Sequence, residues 1–269
     1  MSKALHWPVE AVWEAVVSRL PGFTVEVLPE LDSTNSELMR RARAGNADPV
    51  LLIAQRQTQG RGRLGRHWLS APKPDAPALS ALTFSLALQL APQDWSGLSL
   101  AVGVSVAHSL HPDIRLKWPN DLWWHGRKLA GILIETTQCG EPGARRYVVI
   151  GVGINIDTPA AAGMTTPPVG LTELQPQLDA PAALARVIAP LVRAIQMFET
   201  QGFAPFLADF NALDALAGVP VTLSDGSQGT AHGVDATGAL LLHTAHGVQR
   251  VTSSEVSVRL QAAPTAASV

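Results

Sequence analysis

The feature that most constrains the fold is an apolar run at residues 50–55, VLLIAQ, that leads directly into the segment QTQGRGRLGRHW at residues 57–68. A continuous apolar run preceded by Asp48 and Pro49 predicts a buried strand. In the segment that follows, three glycines alternate with three arginines. Glycine lets a ligand approach the main chain, and the arginine fork suits carboxylate and phosphate. This pattern favours an anion-binding loop held by a central strand; a solvated basic loop, or a segment contacting nucleic-acid backbone, stays open.

Composition limits the class of protein. The 269 residues suffice for one large domain, or for a large and a small one, and 46% of them are hydrophobic, as in a well-packed soluble protein. The formal net charge of −2 argues against a general nucleic-acid binder, because such proteins are normally basic. The single cysteine, Cys139, excludes an internal disulfide and suits a reducing cytoplasm. We find neither a signal peptide nor an uninterrupted apolar stretch of membrane-spanning length, and therefore expect a cytosolic globular protein.

Hydrophobic periodicity and turn residues predict a chain of mixed helices and strands. Asp32, Ser33 and Thr34 are all good N-caps, and Glu37, three residues after Thr34, predicts a capping box. Pro190 is expected to kink or split the long helix that it interrupts. The expected helices lie at residues 9–20, 34–44, 95–110, 181–202 and 203–216, and the expected strands at 23–28, 50–55, 78–90, 114–118, 122–124, 128–136 and 145–157.

The character of the sequence changes at Val219. Short β-runs follow, separated by glycine turns at residues 225–226, 237–238 and 246–247. Such turns favour hairpins, and their close spacing predicts a small barrel with a domain boundary near residue 217. The tail after Leu260 has the composition of a disordered segment.

Charged and glycine residues interrupt two otherwise apolar segments. Asp121 and Lys128 lie inside residues 114–137, and a buried charge must be paired or used. The sequence leaves a strand-edge salt bridge and a functional role both open for them. Gly151 and Gly153 interrupt the last strand of the first domain, where glycine often marks close approach of a ligand or another backbone. The chain has no GxxxxGK[ST] motif, so it is no P-loop enzyme.

Several segments, in this order, resemble the catalytic core of biotin protein ligases, also called biotin–[acetyl-CoA-carboxylase] ligases. They are Ser33-Thr34-Asn35, Gln57 with GRGRLGR, KWPND with RKLAGILIE, and GVGIN. The run GVDATGALLL is similar to part of the small C-terminal barrel of that family, and the resemblance covers about residues 31–260. It implies an α+β fold, with a mixed-sheet catalytic domain of the biotin/lipoate ligase type at residues 1–217. An SH3-like β-barrel at residues 218–260 and a disordered tail at 261–269 would follow.

The chain departs from the family pattern in two places. It begins only about thirty residues before Ser33, which is too few for the N-terminal helix-turn-helix domain of some members. We therefore expect no DNA binding. Residues 158–170 are rich in Ala, Thr and Pro and match no family motif, so no role is assigned to them.

The resemblance implies a two-step, ATP-dependent reaction. The carboxylate of biotin attacks the α-phosphate of ATP to give biotinyl-5′-AMP and pyrophosphate. The ε-amine of a lysine on a biotin carboxyl carrier protein then displaces AMP. Two anions must meet in the first step, so cations and Mg²⁺ are expected to offset their repulsion. A cytoplasmic enzyme is implied, and a homodimer stays open.

The resemblance also implies residue roles. The catalytic candidates are Lys128, which would bridge the biotin carboxylate and the α-phosphate, and Arg63, which would help to retain the adenylate. Asp121 is a candidate metal ligand. The residues expected to bind biotin are Ser33, Thr34, Asn35, Gln57, Arg61, Gly62, Arg63, Lys128, Gly151 and Gly153. Those expected to bind the nucleotide are Arg61, Arg63, Arg66, Asn120, Asp121 and Asn155.

Two other functions compete with this interpretation. A lipoate–protein ligase would share the architecture, although GRGRLGR and KWPND fit biotin ligases better. A non-enzymatic nucleic-acid-binding module could use the Arg/Gly loop and the barrel. The acidic balance and the sole tyrosine, Tyr147, leave few basic and stacking groups for that second alternative.

Overall fold

The computed structural model describes residues 5–68, 79–138, 145–161, 164, 166–252 and 258–260. Cys139 and the tail at 261–269 lie outside these residues. The α-helices are α1 Val9–Val17, α2 Thr34–Arg43, α3 Leu98–Leu110, α4 Leu171–Leu174, α5 Ala180–Gln201 and α6 Leu207–Leu213. The strands are β1 Thr24–Leu31, β2 Val50–Gln57, β3 Ala81–Leu90, β4 Arg115–Lys117, β5 Asp121–Trp124, β6 Arg127–Gln138, β7 Arg146–Asn155, β8 Pro220–Leu223, β9 Gln228–Val234, β10 Leu240–Thr244, β11 Gly247–Val251 and β12 Val258–Leu260.

A seven-stranded sheet forms the centre of the first domain, with the strand order β1-β2-β3-β7-β6-β5-β4. β1 runs parallel to β2, whereas the other neighbouring pairs are antiparallel. The sheet is therefore mixed, and the α+β class predicted from the sequence is confirmed.

Helices cover both faces of this sheet. Because side chains alternate along a strand, Leu51 and Ile53 of β2 face the main core, to which α3 and α5 contribute. Val50 and Leu52 face a smaller core on the other side, under Leu38 of α2. α2 therefore packs across the middle of the sheet, with its N-terminus close to the end of β2 and the middle of β3.

Two local expectations are not met: the capping box of α2 and a split of α5. Ser33 is the N-cap of α2, and its hydroxyl accepts from the main-chain N–H of Ser36. The capping box fails because the N–H of Thr34 donates to Gln57, while the carboxylate of Glu37 pairs with arginines of its own helix. Of the two outcomes expected at Pro190, the split is not seen, since α5 runs without interruption through it, and the kink stays a prediction.

α5 is also long and apolar enough, by length and composition, to cross a membrane. Of its most apolar window 56% is buried inside the protein, where Leu184, Val187 and Leu191 belong to the main core. A mostly buried core helix passes the same test, so this feature is weak support for a membrane span.

The C-terminal strands form a second sheet with the order β11-β10-β9-β8-β12. The hairpins predicted at the glycine turns are confirmed. Among the described residues this sheet is open, so a closed barrel is not seen. It contacts the first domain directly, because the indole N–H of Trp118 donates to the carbonyl of Gly238 and Lys117 Nζ donates to that of Val258.

Candidate active site

A cleft lies where the N-terminus of α2 meets β3, β6, β7 and the Arg/Gly loop, with an empty volume of about 710 Å³ that is partly open to solvent. Every predicted site residue except Asn155 lines it. The lining residues are Ser33, Thr34, Asn35, Gln57, Arg61, Gly62, Arg63, Arg66, His67, Trp68, Thr83, Phe84, Asn120, Asp121, Lys128, Gly131, Ile132, Leu133, Gly151, Val152 and Gly153.

The Arg/Gly loop is ordered by its own main chain. The N–H of Gly62 donates to the carbonyl of Arg66 at 2.7 Å, and the N–H of Trp68 donates to that of Gly60 at 2.9 Å. A 3₁₀ turn at Arg63–Gly65 makes the reversal, with Leu64 at φ 56°. A non-glycine residue rarely adopts this left-handed conformation, and the Leu64 side chain is 55% exposed. The loop thus forms a short hairpin over the cleft.

Two rows of paired residues cross the sheet at the floor of the cleft. One row is Ser85, Gly151 and Leu133, and the next is Gly153 and Gly131 with Asp121 of β5. Each row places residues from distant parts of the sequence next to one another in the sheet.

The first row carries a polar cluster, which we call the polar end: Thr34, Asn35, Gln57 and Ser85. Gln57 Oε1 accepts the main-chain N–H of Thr34 at 2.8 Å and lies 3.1 Å from its hydroxyl. Ser85 Oγ lies 2.7 Å from Thr34 Oγ1 and 2.6 Å from Asn35 Oδ1. Thr34, Asn35 and Ser85 are all buried. The sequence predicted three of the four residues and missed Ser85.

Three of the positively charged side chains that line the cleft lie in the region of Asp121, in the second row. We call Arg63, Arg66, Lys128 and Asp121 the cationic end. Lys128 Nζ forms a salt bridge with Asp121 Oδ1 at 2.7 Å. The salt bridge that the sequence left open is confirmed for this pair, which joins β5 to β6 and lines the cleft, and a functional role stays a prediction.

The cationic end has more positive than negative charge. Burial lowers the pKa of Arg63, with Asp121 opposing the shift and Arg66 adding to it. Burial likewise lowers the pKa of Lys117, which the nearby Asp121 opposes. Because several cations share one carboxylate, an additional anion would be stabilised here.

Arg61 belongs to the polar end of the cleft in this structure. Its guanidinium pairs with Glu135 at 3.0 Å. The same carboxylate accepts from Asn35 Nδ2, also at 3.0 Å. Glu135, which the sequence did not single out, therefore connects Arg61 to the buried polar cluster.

Protein side chains occupy the space beside both predicted glycines. A Cβ on Gly151 would lie 2.1 Å from Asn35 Oδ1, and a Cβ on Gly153 would lie 2.4 Å from the ring of Trp68. The close approach predicted at these glycines is made by Asn35 and Trp68, and approach by a ligand ring stays a prediction. Trp68 is the last residue of the segment at 57–68, but nothing in its local sequence indicated this contact.

Asn155 is buried behind the cleft and does not line it. Its amide Nδ2 donates to the carbonyls of Lys128 and Val169, each at 3.2 Å. The main chain of Lys128 also exchanges hydrogen bonds with Pro167 and Val169. Asn155 thus holds the main chain of Lys128, and its predicted contact with the nucleotide stays a prediction.

Asn120 lines the cleft but is tied to the sheet. Its Nδ2 donates to the carbonyl of Ile132 at 2.9 Å, and its own carbonyl accepts from the N–H of Ile132. Its predicted role with the nucleotide is untested.

Among the described residues, no group of three His, Cys, Asp or Glu side chains could hold a metal ion by itself. Asp121 is the predicted metal ligand, and its carboxylate contacts Lys128. Mg²⁺ commonly binds through one or two carboxylates together with substrate phosphates and water. The donor set therefore fits a metal that arrives with a phosphorylated substrate and takes a single protein carboxylate.

The fold and this cleft define a class of ligase. Residues 27–155 match the model of the biotin/lipoate A/B protein ligase family, and residues 218–259 match that of the biotin protein ligase C-terminal domain. Among solved structures, the biotin protein ligase from Aquifex aeolicus in complex with biotin and ATP aligns with a TM-score of 0.73 at 27% identity. That alignment covers 88% of this chain and 99% of the other.

Curated relatives narrow the class. The bifunctional ligase/repressor BirA of Escherichia coli is 36% identical over 262 residues, which are 91% of this chain and 77% of the relative. The biotin–[acetyl-CoA-carboxylase] ligase of Paracoccus denitrificans is 32% identical over 247 residues, covering 86% of this chain and 98% of the relative. The chain belongs to the biotin protein ligase family.

Proposed function

We propose that this protein attaches biotin to a lysine of a carrier protein in an ATP-dependent reaction that passes through biotinyl-5′-AMP. One observation carries the proposal: polar side chains at the start of α2 and a surplus of cations line a single cleft. Similarity to ligases that bind biotin and ATP points the same way.

Biotin binding is assigned to the polar end. The cyclic urea of biotin has two N–H donors and a carbonyl acceptor. Ser33 and Thr34 supply hydroxyls at the start of α2, Gln57 supplies an amide, and Arg61 and Gly62 supply main chain from the loop. Trp68 offers an apolar ring surface beside them.

Adenylate formation is assigned to the cationic end. A carboxylate oxygen of biotin forms a bond to the α-phosphorus as the bond to pyrophosphate breaks. Lys128 can contact the carboxylate and the α-phosphate together, because it carries a point charge on a flexible stem. Arg63 and Arg66 add charge that offsets the repulsion between the two anions. When bound with ATP, Mg²⁺ would supply further charge neutralisation at the phosphates.

Transfer to the carrier follows. The lysine amine attacks the carbonyl carbon of the adenylate, the bond to AMP breaks, and the amine loses a proton as the amide forms. Water would hydrolyse the adenylate, so the loop over the cleft has a protective role. Arg63 lies in that loop and is assigned to retaining the intermediate.

Several finer assignments belong to the same proposal. The acceptor is a biotin carboxyl carrier protein, the protein acts in the cytoplasm, and the domain boundary lies at residues 217–218. The single cysteine of the sequence supports the location, and the change of sheet after α6 supports the boundary. An SH3-like closure of the second sheet is supported by its hairpins.

A labelling assay tests the function. The purified protein is incubated with ATP, biotin and a biotin carrier domain, with lipoate in place of biotin as the matched control. We expect biotin-dependent labelling of the carrier lysine that requires ATP. Equal labelling with lipoate, or none with biotin, would contradict the proposal.

A further inference from the structure

We infer that Ser85 is a positioning residue for biotin: its hydroxyl fixes the direction in which the hydroxyl of Thr34 points. The inference rests on the proposed function, because it concerns how the polar end recognises its ligand. Ser85 lies in the middle of β3 and is fully buried, with an exposed fraction of 0%.

The surroundings of Asn35 fix the orientation of its amide. Its Nδ2 donates to the main-chain carbonyl of Leu133 at 3.2 Å and to the carboxylate of Glu135 at 3.0 Å. Both partners can only accept, so the nitrogen must face them and Oδ1 must face Ser85. Gly151, between Ser85 and Leu133 in the row, leaves the space that the amide occupies.

The remaining hydrogen bonds then have a fixed direction. Asn35 Oδ1 is an acceptor, so at 2.6 Å the hydroxyl of Ser85 must donate to it. Ser85 has one hydrogen, which leaves its oxygen to accept from Thr34 at 2.7 Å. Thr34 also lies 3.1 Å from Gln57 Oε1, which accepts its main-chain N–H, but this is the longer of the two contacts open to the hydroxyl hydrogen.

The hydroxyl of Thr34 therefore presents lone pairs to the cleft. An acceptor at this point suits a ligand N–H, which the cyclic urea of biotin has and the dithiolane ring of lipoate lacks. Ser85 does not line the cleft, so it acts through Thr34 and Asn35. Without Ser85, the Thr34 hydrogen keeps only the longer contact with Gln57 and can turn into the cleft, where it would oppose the ligand N–H.

The experiment is a double-mutant cycle between Ser85 and Thr34, read out as the dissociation constant of biotin and as KM for biotin and ATP. Ser85→Ala is expected to weaken biotin binding by about tenfold, as the loss of one oriented hydrogen bond predicts. KM for ATP and kcat should change by less than about twofold. In a Thr34→Val background the hydroxyl is absent, so Ser85→Ala should have little further effect.

The matched control is Ser105→Ala, the same change at a buried serine of α3 that lies outside the cleft. It should leave biotin binding unchanged. Ser85→Cys keeps a weak donor on a somewhat larger side chain, and should weaken binding less than Ser85→Ala does. It also serves if Ser85→Ala does not fold.

Two results would overturn the inference: unchanged biotin binding in both Ser85 variants, or an equal loss with and without the Thr34 hydroxyl. A wild-type protein that fails to bind biotin would instead overturn the proposed function. Binding by the wild type therefore separates the two failures.

Discussion

The two ends of the cleft are built on different principles. At the polar end, Thr34, Asn35 and Ser85 are buried and hydrogen-bonded to one another, so the recognition surface exists before a ligand arrives. At the cationic end, Lys128 is 29% exposed, and one carboxylate serves several positive groups. The polar end can select a shape and a pattern of donors, whereas the cationic end gains stability when an anion is added.

The largest expected effect is at the cationic end. Lys128→Ala should reduce biotin-dependent exchange of ATP and pyrophosphate by ~10²-fold or more, because the charge shared by the two reacting anions is lost. Exchange of labelled pyrophosphate into ATP measures it.

The neighbouring residue supplies the control for that experiment. Arg127 forms a surface salt bridge with Glu173 at 2.6 Å and does not line the cleft. Arg127→Ala should leave exchange nearly unchanged. Near-normal exchange in Lys128→Ala would remove Lys128 from the reaction.

The next effect tests the preformed polar end. In Gly151→Ala the new methyl would meet Asn35 Oδ1 at 2.1 Å and displace the amide. We expect KM for biotin to rise by about 10–100-fold, since overpacking costs about 1–3 kcal/mol. Steady-state kinetics with biotin varied at saturating ATP measures it.

Gly62→Ala is a useful comparison, because its methyl would lie 3.5 Å from the nearest atom, in ordinary contact. Its effect on KM for biotin should be clearly smaller. Equal effects of the two substitutions would mean that the packing of Asn35 against Gly151 does not matter for biotin.

A smaller effect separates retention of the intermediate from its formation. Arg63→Gly should release biotinyl-5′-AMP about tenfold faster, because one charged contact to the phosphate is lost, while formation slows less. Rapid filtration of preformed adenylate gives the release rate. Arg56→Gly, which removes an arginine paired with Glu30 outside the cleft, is the control. An unchanged release rate in Arg63→Gly would count against the assignment.

The last prediction concerns the stability of the protein behind the cationic end and not the rate of the reaction. The main chain of Asp214 pairs with that of Leu116, next to Lys117, in an isolated β-bridge. Burial raises the pKa of the Asp214 carboxyl to about 6. The folded state then holds this proton more tightly than the unfolded state, whose pKa is near 3.8. The stabilisation of the folded state by this proton is complete below pH 3.8 and is lost as the pH rises through about 6.

Asp214→Asn should remove this dependence of stability on pH. It should make the protein about 1–3 kcal/mol more stable than the wild type at pH 7. Urea unfolding at pH 4, 5, 6 and 7 measures the difference between the two proteins. Other carboxylates, such as Asp32 and Glu37, have a lowered pKa and change the stability in the opposite direction with pH. Their contribution is the same in both proteins and cancels in the comparison. Parallel stability curves would exclude the effect.

The sequence predicted the residues that line the cleft best where these residues lie in recognisable local motifs. Gln57, Lys128 and Asp121 stand in segments whose residue types are unusual for their surroundings, and the structure brings all three to the cleft. It failed where the contact depends on strand register. Ser85 is a small polar residue in an apolar strand, and only its pairing with Gly151 places it beside Asn35. Glu135 gave no signal, since its partner lies 74 residues away.

The fold shows the same division. Strands and hairpins followed from periodicity and glycine turns, which are local properties. The capping box failed because Gln57, distant in sequence, took the N–H of Thr34. Pro190 could not split α5, because that helix is packed along its length against the core.

The main chain of Lys128 is held from both sides, by Asn155 and by the returning segment at Pro167 and Val169. The side chain, paired with Asp121, is the part of Lys128 that could make the contacts proposed for it with the reacting anions. Because the Cα atom of Lys128 is held in place, the length of the side chain determines how far its ammonium group can reach into the cleft. Replacing Lys128 with side chains one methylene shorter or longer would report, through the rate of adenylation, how far the ammonium travels between substrate and intermediate.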